Sequence, residues 1–191
     1  SAADTDTVIV PILGLSKASN GPWTIGQTGA QYTLTPNNTA GTAPTSGTIT
    51  VVDVLPVGIT PNFTGPVLTN GWTCNASGQT VTCTSASVIA VGALGTNIVL
   101  PVNVTATAAN PSINYAAISG GGDPDPAPTP GPTCAPAAQC ATNSTPVTPT
   151  IQVAVSKSSN PASGTSVAVG DTITYTLTTV VTNSATTGVL T

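Results

Sequence analysis

The 191-residue chain contains no histidine, arginine, glutamate or methionine, and its only charged side chains are two lysines and six aspartates. Each absence removes a class of function. Without histidine, no Ser-His-Asp or Cys-His nucleophile can be assembled, and a transition-metal site loses its commonest ligand. Two lysines cannot displace the counterions of a phosphate backbone, so nucleic acid is excluded as a partner. No run reaches the roughly 18 apolar residues of a transmembrane helix; segments 8–15 and 88–100 come nearest and are broken by Gly, Asn, Thr or Pro. No membrane span is expected. The start lacks a basic segment followed by an apolar one, so Ser1 reads as the first residue of an already processed chain. The chemistry that remains suits neither an enzyme nor a cofactor protein, and none is expected.

What replaces charge is threonine, 37 residues of it. Threonine is β-branched and carries a hydroxyl, so it fits the solvated face of a strand. A chain with two lysines and no arginine also gives trypsin-like proteases little to cut, and one without methionine lacks a main oxidation target. This is the composition of a durable extracellular material. Four cysteines fall into two close pairs, Cys74 with Cys83 and Cys134 with Cys140. Of the three pairings that four cysteines allow, the local one is expected, as disulfides formed in an oxidising compartment. In the first pair, "NASGQ" between two short strands would set the cysteines opposite each other across a hairpin.

Strand-like runs near 8–17, 29–35, 47–55, 71–74, 80–84, 96–107 and 112–119 are separated by Gly, Pro and Asn, with no segment of helical period. That pattern predicts an all-β, immunoglobulin-like sandwich. The text then repeats. "LSKASNGPWTIGQTGAQYTLT" from Leu15 corresponds to "VSKSSNPASGTSVAVGDTITYTLT" from Val155, and the lysines stand 140 residues apart. Three parts are expected: a sandwich over 1–120, a Pro/Gly-rich linker with a disulfide loop over 121–149, and the first strands of a second, incomplete repeat over 150–191.

The segments "GQTGAQYTLT", "ITVVDVLPVGI", "GWTCNASGQTVTC", "INYAAISGGGDPDP" and "VAVGDTITYTLT" carry a resemblance. The chain resembles the conserved-repeat family of bacterial surface proteins catalogued as domain of unknown function eleven, over most of 12–120 and again from about 150. In the first copy "IGQTGAQY" departs from the family's usual turn by an inserted residue. The resemblance implies immunoglobulin-like repeats on the bacterial surface, structure and adhesion, and no catalytic chemistry.

Strand parity picks out one constellation. Leu13, Leu15 and Lys17 share a face; so do Ile49, Val51, Asp53 and Leu55, and so do Asn114, Ala116 and Ile118. Inward-facing, these would bury a lysine, an aspartate and an asparagine, all of which need partners. The arrangement resembles the intramolecular isopeptide site of surface pilins and adhesins. The plainer alternative is a lysine that snorkels or pairs with Asp53 at the sandwich edge. Lys157 has no such asparagine in its own copy. Asp123 and Asp125, spaced by proline, make a poor calcium cage and read as solvated linker. Asp4 and Asp6 read as a polar terminus, and Asp171 as closing the turn before its strand. Trp23 and Trp72 are expected to cap the core rather than to stack on sugars. Sequons at Asn37, Asn62, Asn75, Asn103 and Asn143 mark glycosylation candidates, although a threonine-rich chain supplies several by chance.

The expected function is a non-catalytic subunit or repeat unit of an extracellular bacterial filament, stalk or surface layer, at the cell surface. Its partners would be copies of itself, joined head-to-tail by strand complementation through Ile173, Tyr175, Leu177 and Val181. The alternative is an adhesin module that binds a surface glycan or protein through loops at one end of the sandwich.

Overall fold

The computed structural model describes residues 8–150 and 152–182. Asp4, Asp6 and the strand expected to begin at Gly188 lie outside them. The chain divides into two units, Ser1–Thr148 and Pro149–Thr191.

In the first unit the alternation seen in the sequence becomes two packed sheets. One has four strands in the order β1 (Gly14–Ser19), β3 (Ala30–Asn37), β9 (Ile98–Val104) and β5 (Ile59–Pro61). The other has six, in the order β11 (Cys140–Thr145), β10 (Ser112–Gly120), β4 (Ile49–Val54), β8 (Thr80–Ser85), β7 (Trp72–Ser77) and β6 (Val67–Thr69). In β3, Ala30, Tyr32, Leu34 and Pro36 are buried while the residues between them are partly exposed. In β9, Ile98, Leu100, Val102 and Val104 do the same. The facing sheet answers with Ile49, Val51, Val81, Cys83, Ala116 and Ile118, and these residues form one continuous core. Each fully buried aliphatic side chain contributes about 1.5–3 kcal/mol. Gly120 closes β10 at φ +85°, where a Cβ would lie 2.4 Å from the Thr48 carbonyl oxygen. Only glycine fits that approach.

The strand expected over 8–17 begins six residues later, at Gly14. Side chains take over its ladder. The amides of Val10, Ile12 and Leu13 donate to Thr42 Oγ1, Asn38 Oδ1 and Asp123 Oδ2, the last at 2.6 Å. Segment 121–149 is the larger correction, because it is part of the first unit rather than a linker. β11 pairs with β10 along its length, and β12 (Val147–Thr148) runs parallel to β2 (Trp23–Thr24). Val147 is buried in the core. Asp123 is no solvated linker residue either, since Gln139 Nε2 also donates to its Oδ2 at 3.0 Å. That glutamine sits on a short 3-10 turn inside the ring closed by Cys134 and Cys140.

The second unit is a two-stranded antiparallel sheet of β13 (Gln152–Asn160) and β14 (Thr174–Thr182). Its register repeats that of β1 and β3. Lys17 faces Leu34 and Ser19 faces Tyr32; Lys157 faces Leu177 and Ser159 faces Tyr175. Asp171 Oδ2 accepts from the Ala168 amide at 2.6 Å in the turn ahead of β14.

Candidate functional site

β1 is an edge strand, so Lys17 exposes backbone, yet its side chain is 0% exposed because strand alternation turns it into the core. There its Nζ donates to Asp53 Oδ2. Asp53, 1% exposed, projects from β4 in the opposite sheet. β4 pairs with β10 so that Asp53 stands opposite Ala116. Asn114, two residues earlier on the same face, is therefore Asp53's diagonal neighbour, within reach of a side chain. It is fully buried. The Lys17 ammonium also lies 4.2 Å from the centroid of the Tyr32 ring. Three residues, expected inward from parity, thus come together with an aromatic wall that the sequence did not single out. The signal for Tyr32 was present, as its repeat partner Tyr175 lies 4.1 Å from Lys157 Nζ.

The cluster is poorly bonded. Tyr32 OH, Asp53 Oδ1, Ser112 Oγ and both polar atoms of the Asn114 carboxamide are buried without a hydrogen-bond partner. Asn114 is near enough to Asp53 and Tyr32 to ease their ionisation, but no pair meets in bonding geometry. Each unpaired buried polar atom costs about 1–3 kcal/mol.

Burial decides the charge state. Desolvation lowers the Lys17 pKa, opposed by Asp53, and raises the Asp53 pKa, opposed by Lys17 and then Asn114. Desolvation pushes the Tyr32 hydroxyl up to about 12, with the Asp53 charge adding to it. Cation–π attraction to Tyr32 favours the ammonium by about 0.5–2 kcal/mol, less than the several kcal/mol per ion that burial costs. Desolvation thus moves both groups toward their neutral forms, the amine and the carboxylic acid, while the attraction between Lys17 and Asp53 opposes both shifts.

The other expected residues are dispersed. Cys74 and Cys83 face each other across β7 and β8 and are joined; Cys134 and Cys140 are joined in their loop. Trp23 and Trp72 are buried, their indole N–H groups donating to Asn20 Oδ1 and to Thr96. Neither offers a face to a sugar. Among the sequon residues, Asn62, Asn75 and Asn103 are exposed, while Asn37 and Asn143 are half-buried. Asn143 lies opposite Asn114 on β11, and its Oδ1 accepts from Thr145 Oγ1 at 2.6 Å. Asp125 is exposed, and its amide donates to Asp123 Oδ1. No group of three or more metal-ligating side chains converges among the described residues.

No family model and no curated protein matches the chain. Among solved structures it is similar to the CARDB domain of a Pyrococcus furiosus protein, in complex with di-metal ions. That match has 12% identity and a TM-score of 0.39, over 77% of this chain and 99% of that one. The chain is also similar to BcpA, the major pilin subunit of Bacillus cereus, at 14% identity and a TM-score of 0.47. That match covers 87% of this chain and 53% of the pilin, about half its length.

Proposed function

We propose that this chain is a non-catalytic structural repeat unit of an extracellular bacterial filament, stalk or surface layer, joined head-to-tail by strand complementation. The observation that carries the reading is the bare face of the second unit. In the first unit, the face bearing Leu15, Tyr32 and Leu34 is buried beneath the six-stranded sheet. In the second, the matching residues Val155, Tyr175 and Leu177 are 65%, 56% and 67% exposed. Ile173 beside them is exposed and Val181 half-buried.

An isolated two-stranded pair is marginal in water, so this face needs a second sheet. Its shape and register are those of a face that a six-stranded sheet already covers in the first unit. The six-stranded sheet of each copy is already packed on its own four-stranded sheet, so the proposed occupant is a strand of another copy of this chain, added at an outer edge of the β13–β14 pair. An open hollow of ≈440 Å³ lined by Lys157, Ala162 and Tyr175 would take its side chains. A head-to-tail contact of this kind does not close, and it generates a fibre. The scarcity of charge and of protease sites suits such a material, and the family resemblance points the same way.

Deleting residues 149–191 tests the reading. Loss of filaments in negative stain, with a still-folded first unit, is the expected result. A full chain that remains monomeric while β13 and β14 resist hydrogen exchange would overturn it.

A further inference from the structure

We propose that Lys17 and Asn114 become joined by a side-chain amide, with Asp53 passing the protons, so that the first unit is a covalently closed sandwich. The geometry supplies each participant. The Lys17 amine is buried and held on Asp53. Asn114 lies diagonal to that same aspartate, and no hydrogen bond holds its carboxamide in place. Asn143, the other asparagine nearby, is half-buried and has its Oδ1 engaged by Thr145. Asn114 is the free acceptor.

The reaction needs no outside reagent. The Lys17 Nζ lone pair attacks Asn114 Cγ, and the carbonyl electron pair moves onto Oδ1, where the protonated Asp53 carboxyl donates a hydrogen bond. Nζ then gives a proton to the carboxyl pair and Nδ2 receives one from it. The Cγ–Nδ2 bond breaks, and ammonia leaves. Amine plus carboxamide become secondary amide plus ammonia, and Asp53 ends protonated as it began. Burial supports both starting states, the neutral amine and the protonated acid. The product relieves the pocket. The new amide oxygen accepts from the Asp53 carboxyl and the new N–H donates to it, which uses the orphaned Asp53 Oδ1 and the carboxamide oxygen.

Lys157 is a control built into the molecule. It carries the same aromatic neighbour but is exposed, and Asp171, its unit's acid, is engaged by the Ala168 amide. It should keep a free amine.

The test is the intact mass of the reduced, denatured full chain, followed by trypsin digestion. The wild type should weigh one ammonia less than its sequence and be cut after Lys157 but not after Lys17. Fragmentation with a less selective protease should yield a branched peptide joining β1 to β10. Asp53→Ala and Asn114→Ala should restore the full mass and the cut at Lys17. A folded wild-type chain of full mass overturns the proposal whatever the variants do. So does a branched peptide ending on Asn143, or ammonia loss that persists in Asn114→Ala.

Discussion

At the scale of residues, the buried trio sets a pH dependence whose form depends on whether the amide has formed. In the cross-linked chain Lys17 no longer titrates, and desolvation holds the Asp53 carboxyl above its ordinary 3.8 without the lysine's opposing charge. The folded state then keeps a proton that the unfolded state has released. Its stability is fully present below 3.8 and is lost as pH rises through the folded pKa. In an unlinked chain Lys17 opposes the upward shift of Asp53, so the same loss of stability with rising pH is smaller. Lys17, lowered by desolvation, adds the opposite slope at higher pH: the unfolded chain holds a proton that the folded chain has released, so stability falls as pH drops from 10.5 toward the folded pKa. Tyr32, the remaining titratable group on the pocket, stays protonated throughout the acid range. Urea midpoints measured from acid to neutral should therefore decline for the wild type. For Asn114→Ala, which keeps the pair but cannot cross-link, the decline should be smaller, and midpoints should climb again toward pH 10.5.

At the scale of elements, the two disulfides should differ in weight. The Cys74–Cys83 ring spans ten residues, worth about 2.7 kcal/mol by loop entropy, and both sulfurs lie in the core. The Cys134–Cys140 ring is shorter, worth about 2.4 kcal/mol on the same formula, and its cysteines are half-buried. Replacing the first pair by alanine should cost the ring plus a core cavity, roughly 3–5 kcal/mol in all. Replacing the second should cost no more than about 2 kcal/mol, because the exposed loop relaxes. Chemical denaturation of the two double variants checks the order.

The same elements mark what the sequence could disclose. Alternation in β3, β4 and β9 was plain because one face of each is buried and the other wet. The inward direction of Lys17, Asp53 and Asn114 followed from that alternation. β11 was hidden behind prolines, since "CATNST" has no apolar alternation and takes its place by pairing with β10 and packing Ala141 and Thr145 inward. β5 and β6 are three residues each, too short to show a period. The pegging of Leu13 onto Asp123 joins residues 110 positions apart, and no local pattern announces such a contact.

At the scale of the whole molecule, the unit boundary falls at Thr148, so what reads as a tether is the closing edge of a sandwich. The second unit then begins with the same hairpin as the first. Two hairpins of one register are rivals during folding. Both present a leucine, Leu34 and Leu177, opposite the shared lysine of that register. A misplaced second hairpin would carry Lys157 to Asn114, and an amide formed there would make the mistake permanent. Under the proposed cross-link, the amide would record irreversibly which copy was chosen. In Lys17→Met refolded from denaturant, a branched peptide joining β13 to β10 would show that Lys157 had been used. Its share should rise with refolding time and vanish when residues 149–191 are removed.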